Sequence, residues 1–210
     1  MPVFNPCDGE ILDPVCDPCL TEVEHGRIRG AAYVHKSYLP DVTAAIVALE
    51  AALAAVPQVP LDIANAKDAL EDAWNAGIED GVIYVIPETT GSFDGGAEVE
   101  GPGYGDRTSR FIGFNFTLNY KDPSFKPNTG FYNTISKSTG WHFLWRTETL
   151  TRISNNPVTI VHKSPVQEDL NSEVVWELTI KWTGKDQPVP YSEMVGFFVC
   201  PNPEAEVEEP

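Results

Sequence analysis

The sequence predicts a mainly β protein: a two-sheet antiparallel β-sandwich or barrel with an inserted α-helical hairpin. Three observations lead there. First, residues 110–120 (RFIGFNFTLNY) alternate, with Ile112, Phe114, Phe116, Leu118 and Tyr120 on one face and mostly small or polar groups on the other. Second, residues 173–182 (EVVWELTIKW) repeat the pattern, with Val174, Trp176, Leu178, Ile180 and Trp182 inward. Third, turn residues separate at least six such runs, as in sandwiches and barrels.

The chain has 210 residues, enough for one β-rich domain with an insertion. Five Trp, ten Phe and seven Tyr supply the bulk for a packed core. Residues 1–26 form a Cys-rich arm in which Pro2, Pro6, Pro14, Pro18 and Gly9 disfavour regular structure. Residues 27–200 make up the sandwich domain, and residues 27–35 are its expected first strand. Between 41 and 76 the period changes to about 3.6 residues, and twelve residues are Ala. Asp41 is the expected N-cap of a helix striped by Val42, Ile46, Leu49, Leu53 and Val56. After Pro57 and Pro60, a second helix carries Ile63, Ala66, Leu70 and Trp74, with Gly77 at its expected C-cap. Each helix has one apolar stripe, so the hairpin is expected to cover a sheet face or another subunit.

Residues 82–86 (VIYVI) read as a continuously buried strand. Residues 87–109, with six glycines, read as a long loop, either a contact arm or a solvated excursion. Within and beside it, Phe93, Tyr104, Arg107 and Arg110 are the candidate subunit contacts. A turn-rich segment (KDPSFKPNTG) follows residues 110–120. Further strands are expected at 141–146, with Trp141, Phe143 and Trp145 on one face, at 157–163, and at 195–200. Residues 201–210 carry four Glu and three Pro and are expected to be a disordered acidic tail.

The formal net charge of −17 disfavours adhesion to nucleic acid or anionic membranes, which needs clustered Lys and Arg. No run is long and apolar enough to span a bilayer, and no basic-then-apolar leader follows Met1, so a soluble protein made in a cytoplasm is expected. Cys7, Cys16 and Cys19, with distant Cys200 or with His25 as fourth ligand, have the makings of a structural zinc site. Disulfides and free thiols remain open alternatives. No nucleophile elbow, phosphate-binding Gly-Lys-Ser/Thr loop or His-Glu-x-x-His motif is present, so a non-catalytic protein is expected.

The segments ETTGSFDGGAEVEGPGYGDRTS, RFIGFNFTLNY, GFYNTISKSTGWHFLWRTET and EVVWELTIKW, in that order, resemble the tail tube proteins of long-tailed bacteriophages and related contractile-injection tubes. The resemblance covers roughly residues 82–200. It implies two packed antiparallel sheets with a flanking helix, stacked as rings around a channel. It also implies a long hairpin loop, here 87–109, that reaches a neighbouring subunit. The helical hairpin and the Cys-rich arm would then decorate the outer wall. On this reading the chain is a virion structural protein, a tail tube or tail-completion subunit. It would be assembled in the host cytoplasm with other tail proteins around an acidic lumen through which DNA passes without specific binding. The alternative is a monomeric β-sandwich binding module for a glycan or protein ligand, with a zinc-stapled N-terminal arm.

Overall fold

A computed structural model of the chain describes residues 3–4, 11–12, 27–103, 109–165, 174–191 and 194–198. A short antiparallel pairing, β1 (Val3–Phe4) with β2 (Ile11–Leu12), lies in the N-terminal arm. The remaining elements form two antiparallel sheets and a helical layer.

The first sheet has the order β10 (Thr159–Lys163), β11 (Trp176–Gly184), β7 (Ser109–Asp122), β5 (Thr90–Phe93), with β6 (Ala97–Pro102) also on β7. The second has the order β12 (Pro190–Tyr191), β9 (Thr151–Ile153), β8 (Trp141–Arg146), β3 (Gly30–His35), β4 (Ile83–Ile86). The architecture is therefore a sandwich and not a closed barrel. Ile28, just ahead of β3, bridges to Gly91 of β5 and links one edge of the two sheets.

The two strongest sequence patterns become neighbours. β7 pairs with β11 from Trp176↔Asp122 to Gly184↔Phe114, so Phe116 faces Trp182, Leu118 faces Ile180 and Tyr120 faces Leu178. These cross-strand pairs pack against Tyr33, Phe143 and Trp145 of the second sheet. Each large side chain so buried contributes on the order of 1.5–3 kcal/mol. The second sheet is covered on both faces. Its other side, with Ala32, Val34 and Leu144, lies under α1 (Leu39–Ala54) and α2 (Pro60–Glu79), and Met194 and Phe198 join the same cluster. The hairpin thus covers a sheet face of its own chain, which accounts for the apolar character of both faces of the 141–146 run.

Several boundaries differ from the sequence expectation, each for a physical reason. α1 begins two residues before Asp41, with Tyr38 at its N-cap and Pro40 in its first turn. Val42, Ile46 and Leu49 are buried, but Val56 lies beyond the helix and is 96% exposed. α2 runs past Gly77 to Glu79, and the left-handed residue that ends it is Gly81, at φ +67°. Gly77 is buried inside the helix because a Cβ there would lie 2.5 Å from Ile83 Cδ1 and 2.6 Å from Tyr38 Cε1. Gly77→Ala is therefore expected to destabilise by about 1–3 kcal/mol, despite alanine's better helix propensity. A urea-midpoint comparison checks this, and an unchanged or raised midpoint would contradict it.

The turn-rich segment after β7 contains a helix, α3 (Phe125–Ile135). Pro127 sits in its first turn, where the missing N–H costs nothing, and Asp122 organises its start by accepting from Ser124 N at 2.8 Å. β4 is an edge strand, paired only with β3 and with Tyr84 39% exposed, so it is not continuously buried. The described part of the run 195–200, residues 195–198, is not a strand, and residues 199 and 200 lie outside the described residues. Val195–Phe197 is a 3-10 turn, and the edge beside β9 is taken by β12. Val174 precedes β11 and is 42% exposed. Residues 90–93 and 97–102 of the expected loop are strands, so that stretch is largely a folded edge of the first sheet.

Candidate functional site

β7 is longer than the sandwich it belongs to. β11 accompanies it only as far as Phe114, so residues 109–113 pair with β6 alone and form a two-stranded ribbon. The register shifts between Val99 and Glu100, where Val99 faces Gly113 and Glu100 faces Phe111, leaving Ile112 as the extra residue of a bulge. A bulge breaks the two-residue period. This is why Ile112, expected inward, is 47% exposed, while Phe111, turned to the Phe114 side beyond the end of β11, is 52% exposed. The Phe111 ring sits edge-on to Phe114 at 5.0 Å. Ile112 lies over Gly101, whose missing side chain gives it room. A groove of about 390 Å³ runs beside it, lined by Val99, Ile112, Phe114, Asn156 and Lys185 among others.

A two-stranded ribbon is marginal in water on its own, and one with unpaired edges and adjacent exposed apolar groups is a template for pairing. β10 and β4 add two further sheet edges, with Val161 52% and Tyr84 39% exposed. The arrangement can bury apolar surface and donate edge hydrogen bonds to a second protein surface.

Two polar constellations lie elsewhere. In the core, Tyr132 donates to Asp122 Oδ2 at 2.7 Å, and Asn128 Nδ2 donates to the same oxygen at 2.6 Å. With the Tyr132 hydrogen committed, Tyr120 donates to Tyr132 at 3.4 Å and Tyr33 donates to Tyr120 at 2.6 Å. Burial first, then the neighbouring hydroxyls and the Asp122 carboxylate, pushes all three phenols well above their ordinary range. Asp122, Tyr33, Tyr120 and Tyr132 are buried within the core, so this chain ties α3 to both sheets and offers nothing to a substrate. His142, also buried, donates Nδ1–H to Ser154 O at 3.0 Å, and burial lowers its pKa. It too is a satisfied structural group.

The second constellation is a cleft of about 390 Å³ at one end of β3 and β8, lined by Arg27, Arg29, Arg146, Glu88, Thr89 and neighbouring residues. Arg146 reaches it because Gly30 opposite has no side chain: a Cβ there would lie 2.7 Å from Arg146 Nε.

Comparison with family models, curated proteins and solved structures finds no match to this chain.

Of the expected contact residues, Phe93 turns inward, stacking on Trp182 at 5.7 Å and lying 5.1 Å from Trp145, so it belongs to the core. Its neighbours in sequence are glycine and small polar residues, which hid its direction. Arg110 sits on the ribbon opposite Gly101, exposed. Tyr104 and Arg107, and the zinc candidates Cys7, Cys16, Cys19, Cys200 and His25, lie outside the described residues. Among the described residues no group of three His, Cys, Asp or Glu is placed to hold a metal, and no helix is long and apolar enough to cross a membrane.

Sequence reasoning missed Asp122, although Asp-Pro-Ser is a turn signature with a side chain ready to bond its own backbone. It missed the arginine cleft because Arg146 joins Arg27 and Arg29 only through sheet pairing.

Proposed function

We propose that the chain is a self-assembling structural subunit, a tail tube or tail-completion protein of a long-tailed bacteriophage virion. The observation that carries this reading is the β6–β7 ribbon, which extends β7 beyond β11 and bears Phe111 and Ile112 in solvent. On this reading the ribbon would serve as the long hairpin by which a tube subunit reaches the next one. A net charge of −17 per chain, repeated around a ring, supports a lumen that repels phosphates and lets DNA slide. The partners are copies of this chain and other tail proteins, and the working surfaces are ribbon and sheet edges, with no catalysis.

The double variant Phe111→Asp, Ile112→Asp tests it. Both residues are about half exposed, so the fold should keep its stability to within about 0.5 kcal/mol. Light scattering is expected to show large particles for the wild-type chain and monomer for the variant. Equal particle sizes would remove the ribbon from the assembly.

A binding module is the second reading, and one patch favours it. Tyr84, Phe131 and Trp141 cluster at the β4 edge, with Tyr84 4.8 Å from Phe131 and 5.5 Å from Trp141. Trp141 is half-buried there, so the patch has the aromatic faces a sugar ring stacks on. A glycan array on monomeric protein distinguishes the two readings.

A further inference from the structure

The arginine cleft is the least explained feature of this acidic molecule. Three guanidiniums of a chain with only 14 basic residues converge on it. Arg27 and Arg29 flank the buried Ile28, and both exposed side chains reach the cleft. Arg29 N–H donates to Arg146 O at 2.9 Å, and Thr89 N–H donates to Arg29 O at 3.2 Å. Backbone pairing therefore sets these residues side by side, and the Arg146 guanidinium is further held over the Phe198 ring, 6.0 Å from its centroid. Arg27 and Thr90 also line an adjoining groove with Lys121 and Lys163, which extends the basic surface. Glu88, exposed in the cleft wall, Glu148, which pairs with Arg29 at 3.2 Å, and Glu177, which takes both lysines at 3.1 Å, answer part of this charge.

Two polar atoms of the lining, Thr89 Oγ1 and Arg146 Nε, are buried without a hydrogen-bond partner among the described residues, and Thr89 is only 9% exposed. Buried polar groups are ordinarily satisfied, so unpaired donors beside clustered guanidiniums ask for an acceptor carrying negative charge. Burial, and then the nearby Arg29, lowers the pKa of Arg146, as expected of a cation short of a counter-charge. The number of donors decides the shape of the anion. One guanidinium fork binds a carboxylate bidentately and takes both of its oxygens. Three guanidiniums and a hydroxyl call for three or four acceptor oxygens, which a phosphoryl group has. The cleft, at about 390 Å³, lies at the small end of ligand pockets and suits such a group with a small organic remainder. A nucleic acid would meet the −17 charge of the chain outside it.

We propose that the cleft between Arg27, Arg29 and Arg146 is a binding site for a tetrahedral oxyanion of the phosphate type, free as the inorganic ion or carried by a small organic molecule. Bidentate pairing with the guanidinium forks supplies the attraction, and Thr89 Oγ1 donates from the buried side. Pro123, which follows β7, lines the cleft, whereas the ribbon holds residues 109–113 at the other end of the same strand. The site is therefore separate from the ribbon, and the proposal stands whether or not the chain assembles.

The test uses the full chain, with titration calorimetry and urea unfolding at an ionic strength held constant with chloride. Inorganic phosphate is expected to bind the wild type and to raise its urea midpoint, as any ligand of the folded state does. The double variant Arg27→Gln, Arg29→Gln changes two exposed positions and leaves the core intact, and it is expected to bind phosphate about tenfold or more weakly. Thr89→Val removes a hydroxyl that has no partner, so its urea midpoint without phosphate should not fall, whereas its phosphate affinity should. Glycerol phosphate separates the two sources. Binding tighter than that of inorganic phosphate assigns the site to an esterified phosphoryl group, equal or weaker binding assigns it to the free ion, and either result upholds the site. No phosphate binding by the wild type, phosphate binding that survives the arginine changes, or acetate bound as tightly as phosphate would overturn the proposal.

Discussion

Replacing Asp122 by alanine is expected to lower the stability of the fold by about 3–5 kcal/mol, the largest loss from any single change considered. Its carboxylate accepts from Ser124 N, Asn128 Nδ2 and Tyr132 Oη, and the residue is 0% exposed. Removing it strands three donors and takes away the group that starts α3. Tyr132 loses its acceptor, and the order of the hydroxyl chain through Tyr120 to Tyr33 is lost with it. Urea unfolding followed by tryptophan fluorescence measures the effect. Asp122→Asn keeps the shape and part of the hydrogen bonding, so a smaller loss is expected. A loss under about 1 kcal/mol for the alanine variant would mean that the buried chain is not what holds α3 to the sheets.

The second large effect is alkaline unfolding. Tyr33, Tyr120 and Tyr132 have their pKa values raised by burial above the unfolded value near 10. A raised folded pKa contributes stability that is fully present below the unfolded pKa and lost as pH climbs towards the folded one. Above about pH 10 the unfolded chain releases phenolic protons that the folded chain retains, so stability falls as pH rises. The loss accumulates as pH climbs, against a total domain stability of only about 5–15 kcal/mol. Unfolding by circular dichroism and tyrosinate absorbance should therefore coincide in one steep transition above about pH 10. Tyr33→Phe should make it shallower by about one proton. Gradual tyrosinate formation without unfolding would show that the three phenols are reachable by solvent.

Much of the sandwich was legible because its strands obey a period of two where the core is thickest. Phe116, Leu118 and Tyr120 on β7, and Trp176, Leu178, Ile180 and Trp182 on β11, lie where alternation puts them. The helical hairpin was legible for the same reason at the other period, through Val42, Ile46, Leu49, Leu70 and Trp74. What failed depended on particular side-chain partners that a period of two or 3.6 does not encode. Ile112 is displaced by a bulge set by the partner strand β6, and Gly77 is kept small by Ile83 and Tyr38. The start of α3 depends on a carboxylate from the preceding strand. Of the candidate site, the stretch containing the ribbon was legible as an excursion between strands, but its folding into β5 and β6 was not. The Gly95-Gly96 pair there, at φ +77° and +88°, makes the corner between the two strands.

Self-assembly is the central claim, and negative-stain electron microscopy of the purified full chain, paired with light scattering, tests it most directly. Rings or stacked discs, absent in the Phe111→Asp, Ile112→Asp variant, are the predicted result. A monodisperse species of 23.1 kDa at every salt and protein concentration would contradict it.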